Sequence, residues 1–71
     1  MHEKLRKLRE DKGMAQGDVA QYLGVSRTAV TYWESGKKRP DLENLVKLAD
    51  LYNVSIDYLM GRTDNPAPVT A

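Results

Sequence analysis

Apolar positions along this chain recur three and four residues apart in five short runs. Nowhere do they alternate over the roughly 4–8 residues that a half-buried strand requires. The first run, about Glu3 to Lys12, sets Leu5 and Leu8 on one face and leaves Lys4, Arg6, Lys7, Arg9 and Glu10 largely on the others. Gly13 suits a left-handed helix end. A second helix is predicted from about Gln16 to Leu23, with Val19, Ala20 and Leu23 as its buried stripe and Gly24 as its break. Ser26 is a good N-cap for a third helix, about Arg27 to Glu34. Val30 and Trp33 anchor that helix inward, Ala29 sits at their edge, and Ser35-Gly36 ends it. Pro40 pushes its predecessor out of helical geometry. Asp41 can then cap a fourth helix, Leu42 to Tyr52, whose inner face is predicted to carry Leu42, Leu45, Val46, Ala49 and Tyr52. Asn53 turns the chain, Val54-Ser55 opens a short fifth helix, Ile56 to Met60, and Gly61 closes it. From Arg62 onward there are two X-Pro steps and no apolar period, which argues against packed structure. The expectation is an all-α, compact five-helix domain over residues 1–61, with 62–71 a flexible C-terminal tail or the start of a linker.

Size and composition remove whole classes of function. Seventy-one residues make one domain at most. A core that small often supplies no more than about 3–5 kcal/mol. The chain has no cysteine, so disulfides and thiolate metal sites are out; its one histidine, His2, cannot make a metal cluster alone. No cofactor is expected. A Cys nucleophile, a His base in a pocket and a phosphate loop are all missing, so an enzyme is not expected. The start, MHEKLRKLRE, lacks the apolar run of a signal peptide, and the longest charge-free run before the tail, Val19 to Ser26, is eight residues. A membrane span needs roughly 20 apolar residues. The expected setting is the cytoplasm.

The net charge of +1 says little, but its distribution says more. Residues 26–40 hold Arg27, Lys37, Lys38 and Arg39 against Glu34 alone, whereas residues 41–71 hold two basic and five acidic groups. A basic middle beside an acidic end suggests a polyanion on one face, with an idle solvated loop as the bland alternative.

Two short helices joined by Leu23-Gly24-Val25-Ser26 have the tight glycine-containing turn of a helix–turn–helix unit. In such a unit the second helix lies in the DNA major groove. With Val30 and Trp33 turned inward, Arg27, Thr28, Thr31 and Tyr32 point outward. An ordinary exposed face favours Glu, Lys, Gln and Ala. A groove about 12 Å wide favours short side chains flanking a few long readers. Arg27 can bond guanine O6 and N7 together, and Thr28 can hydrogen-bond a base or meet a thymine methyl. Tyr32 can read a base edge or bond a phosphate.

These residues carry a resemblance. MAQGDVAQYLGVSRTAVTYWESGKKRPDLENLVKLADLYNVSIDYLMG is similar to the lambda-repressor/Cro-like (xenobiotic-response-element type) helix–turn–helix family of prokaryotes and phages. Gly13, Gln16, Ala20, Gly24-Val25-Ser26, Val30, Trp33-Glu34, Gly36, Pro40, Leu45 to Ala49 and Val54-Ser55-Ile56 match in order. The resemblance implies a transcriptional regulator, commonly a repressor, that binds double-stranded operator DNA as a homodimer. It implies base-reading positions at Arg27, Thr28 and Tyr32, with Thr31 beside them. Gln16 would grip a phosphate and brace the first reading position. Ser35, Lys37, Lys38 and Arg39 would clamp the DNA backbone, and Arg9 would pair with Glu34 to tie the first helix to the third. Two positions depart from the family. Ala15 stands where a capping Ser, Thr or Asn is usual, and Gly17 where an acidic or long residue is usual.

The alternative is a protein-interaction module, for instance an antitoxin-type domain, with DNA binding secondary. Its partner would be a toxin, an antirepressor or a C-terminal sensor domain. Such a surface should carry large apolar anchors, which the outer face of the third helix lacks.

Overall fold

The computed structural model describes residues 1–68, and helices are its only regular elements among them. Its elements are α1 (His2–Asp11), α2 (Gln16–Leu23), α3 (Arg27–Ser35), α4 (Leu42–Tyr52) and α5 (Ile56–Leu59). The boundaries follow local chemistry. Ser26 Oγ accepts from the Ala29 N–H at 3.1 Å, an Asp41 carboxylate oxygen from Asn44 N–H at 3.0 Å, and Ser55 Oγ from Tyr58 N–H at 2.9 Å. Each satisfies an amide that the helix start leaves without a partner. The turn after α2 needs φ of +74° at Gly24, which lets Val25 N–H reach back to the Ala20 carbonyl at 3.0 Å. That turn sets the angle between α2 and α3.

Ala15 has no oxygen with which to cap α2. The missing cap is half replaced from the other direction, because an Asp18 carboxylate oxygen accepts from Ala15 N–H at 2.8 Å. Gly17, one residue into the helix, has ordinary helical backbone, and a Cβ there would meet nothing within 4 Å. Gly17→Ala is therefore expected to stabilise the fold by about 0.5–1 kcal/mol. In a domain this size that raises the thermal midpoint by roughly 2–8 °C. A circular-dichroism melt checks it, and a lower midpoint would count against this account of α2.

The core gathers Leu5, Val19, Ala20, Leu23, Val30, Trp33, Leu45, Leu48, Ala49, Tyr52, Val54 and Leu59. α3 packs on both α2 and α1, and α4 joins α2 to α5. Lys4 fastens α1 to α5, donating from Nζ to the Tyr58 carbonyl at 2.7 Å while lying over its ring.

The inner face of α4 differs from the predicted one. Leu45, Ala49 and Tyr52 are buried as expected, and so is Leu48, but Leu42 is 70% and Val46 42% exposed. At about 100° per residue, Leu45, Leu48, Ala49 and Tyr52 form one stripe, and Leu42 and Val46 fall together on its flank. Residues 62–68 form neither helix nor strand, yet they are not detached. Ser55 N–H donates to the Pro66 carbonyl at 3.1 Å. Pro68 helps line a shallow groove of about 260 Å³ with Val46, Ala49, Val54 and Ile56. The last three positions of the expected tail, 69–71, lie outside the described residues.

Candidate nucleic-acid interface

α3 is held from behind. Val30 and Trp33 are buried, and Ser26 fixes its first turn. Arg27, Thr28 and Thr31 are exposed and Tyr32 half-buried, so the four expected readers share the outer side of one helix. The loop after α3 begins at Gly36, with φ of +82°. The backbone there needs glycine, and a Cβ would stand 3.0 Å from the ring of the exposed His2 side chain, which would have to shift slightly. This contact brings His2 beside the basic loop, in a hollow it shares with Trp33, Lys38 and Arg39. Nothing local marks the contact in the sequence, because the two residues are 34 positions apart.

The loop is shaped by α3 itself. Ser35 Oγ donates to the Tyr32 carbonyl at 3.1 Å and accepts from Lys37 N–H at 3.4 Å. Lys37 N–H also reaches the Tyr32 carbonyl, at 3.0 Å. The Lys37 ammonium lies 4.6 Å and the Lys38 ammonium 5.5 Å from the centre of the Tyr32 ring. The ring thus gathers two like charges that would otherwise spread apart. The ion pairs that lysine and arginine make among the described residues involve Lys7, Arg9, Lys47 and Arg62, and none uses Arg27, Lys37, Lys38 or Arg39. Four cations without carboxylate partners around one helix make a field suited to a polyanion.

Behind this face lies a polar network. Arg9 donates from Nε to Glu34 Oε2 at 2.8 Å and from Nη2 to Oε1 at 3.0 Å, a forked pair. Its Nη1 donates to the Met14 carbonyl at 2.9 Å, which holds the loop between α1 and α2. The Glu34 side chain is 4% exposed and that of Arg9 13%. The expected pair between α1 and α3 is present. The hydrogen bond to Glu34 pushes the Arg9 guanidinium above its usual pKa, although burial pulls the other way. Burial first, then the Glu34 charge, pushes the Tyr52 hydroxyl up to about 12. Free tyrosine titrates near 10, so this group's contribution is complete below that pH and is lost as pH climbs towards 12.

Gln16 joins the same network. Its Nε2 donates to Glu34 Oε1 at 3.2 Å, and its Oε1 accepts from Thr31 Oγ1 at 2.8 Å. Its side chain is therefore braced on Glu34 and Thr31.

Comparison with known proteins fits this geometry. A helix-turn-helix family profile matches residues 5–59. The chain is 38% identical over 66 residues to the HTH-type transcriptional regulator YobD of Bacillus subtilis, spanning 93% of this chain and 59% of that protein. It is 42% identical over 60 residues to the cryptic phage CTXphi transcriptional repressor RstR of Vibrio cholerae, spanning 84% and 54%. Among solved structures it is similar to the P22 c2 repressor in complex with synthetic operator 9T, with a TM-score of 0.79 and 33% identity over 82% of this chain and 88% of that one. The chain belongs to the helix-turn-helix family, in its lambda-repressor-like branch. It spans little more than half the length of those two curated relatives.

Proposed function

We propose that this chain is a sequence-specific, DNA-binding transcriptional regulator, acting as a repressor, that seats α3 in the major groove of double-stranded DNA. One observation carries the reading. α3 turns Arg27, Thr28 and Tyr32 outward above a buried Val30 and Trp33, and runs straight into three exposed cations without carboxylate partners among the described residues. Arg27 and Thr28, in the first turn, read base edges. Tyr32 reads an edge or bonds a phosphate and keeps Lys37 and Lys38 together. Gln16, Ser35, Lys37, Lys38 and Arg39 fix the register on phosphates. No catalytic step belongs to this reading, and the site of action is the cytoplasm. Residues 1–61 form the binding domain, and 62–68 run back over α4 and α5. The relatives named as regulators and the repressor solved with its operator support this assignment.

The chain acts as a homodimer. A symmetric operator requires a surface that is complementary to itself. Leu42, Val46 and Met60 are exposed, and Val46 and Ile56 line a groove between α4 and α5 that includes no residue of α3. Val46→Lys is expected to shift the chain towards monomer in analytical ultracentrifugation while leaving its melting point within a few degrees of the parent. An unchanged sedimentation profile at every concentration where the parent is dimeric would remove this flank from the interface.

DNA binding itself is tested by gel retardation with sheared genomic DNA at low and moderate salt. Retardation that weakens steeply with salt is expected, since each neutralised phosphate contributes about −0.9 to the slope of log K against log salt. A chain that retards no duplex at low salt is not a DNA-binding regulator.

A further inference from the structure

The Gln16 carboxamide sits between two side chains of α3, and the chemistry of one fixes the direction of every bond. The ionised Glu34 carboxylate can only accept hydrogen bonds. Arg9 supplies two of them, at 2.8 and 3.0 Å. The Gln16 atom 3.2 Å from that carboxylate must therefore be the Nε2 donor. Its Oε1 then faces Thr31 Oγ1 at 2.8 Å, and a carbonyl oxygen can only accept, so Thr31 donates. A hydroxyl has one hydrogen. The competing acceptor, the Arg27 carbonyl, stands farther away at 3.1 Å.

We infer that Thr31 is a positioning residue and not a donor to a base edge: its hydroxyl orients Gln16 so that one Nε2 hydrogen stays available for a DNA phosphate. The inference rests on the DNA-binding reading and deepens it. With its only hydrogen turned towards Gln16, Thr31 has no donor left for a base edge. Gln16 gains a fixed rotamer before any DNA arrives, which removes part of the ordering cost of a phosphate contact. Arg27 takes no part in the brace and keeps all its donors for a base. The bonds run one way, from Thr31 to Gln16 to Glu34, with Arg9 closing the chain from the other side.

Two variants test this, Thr31→Val, which keeps the shape and loses the donor, and Thr31→Ser, which keeps the donor. In the free, nitrogen-15-labelled chain, Thr31→Val should move the Gln16 side-chain amide resonances and Thr31→Ser should leave them near the parent positions. Unmoved resonances in Thr31→Val, or no restoration by Thr31→Ser, would overturn the inference. On DNA, Thr31→Val should weaken every duplex by a similar factor, roughly three- to tenfold, the worth of about one hydrogen bond. The preferred base at each operator position should stay the same. A changed preference confined to one base pair would make Thr31 a reader and overturn the inference. If the parent chain retards no duplex, the DNA-binding reading falls by itself, and the amide resonances still decide whether Thr31 positions Gln16.

Discussion

Glu34→Ala should leave the chain largely unfolded at room temperature. The substitution strands the Arg9 guanidinium, whose Nε and Nη2 are held by that carboxylate and which is itself mostly covered. Removing one partner of a buried pair costs about 3–5 kcal/mol, because the remaining charge is left without compensation. A core of this size often supplies only about 3–5 kcal/mol in total. The damage also spreads, since Arg9 holds the Met14 carbonyl and Gln16 leans on Glu34. Far-UV circular dichroism with a urea titration measures the effect. A Glu34→Ala chain that melts within a few degrees of the parent would show that the pair is not what ties α1 to α3.

The second large effect concerns recognition. Arg27→Ala should weaken operator binding by about 1–3 kcal/mol and relax the requirement at one base position. The chain should melt like the parent, because Arg27 is exposed and in no ion pair among the described residues. Lys38→Ala should behave differently. It should weaken operator and random duplexes alike and flatten the salt slope by roughly 0.9, the share of one phosphate contact. Competition titrations at several salt concentrations separate the two behaviours. Equal losses on operator and random DNA for both variants would overturn the division between base-reading and phosphate-binding residues.

The contrast between what the sequence showed and what it concealed has a physical basis. Helix limits were legible because they depend on near neighbours. Ser26 and Asp41 cap from three residues away, and Gly24 and Gly36 supply a backbone shape that few residues adopt. The inward position of Val30 and Trp33 followed from their spacing, and with it the outward face of α3. Other features depend on what packs alongside. An apolar period cannot say how far a core extends: spacing alone puts Leu42 and Val46 on the inner face, although α4 shows that flank to solvent. The Ser55–Pro66 bond gives a proline-rich segment a seat that its composition does not announce. The Thr31–Gln16 bond spans 15 positions, and only the placement of α2 on α3 brings its ends together. The gathering of Lys37 and Lys38 on the Tyr32 ring is likewise a property of the folded loop.

Selection of bound duplexes from a random oligonucleotide pool tests the central claim most directly. It reports sequence preference, half-site symmetry and spacing in one measurement. If α3 reads the major groove in a dimer, the pool should converge on a pseudo-palindrome with half-site centres about one helical turn, about 34 Å, apart. A pool that remains random after repeated rounds, while the chain still retards DNA, would contradict base reading by α3 and leave only attraction to phosphate.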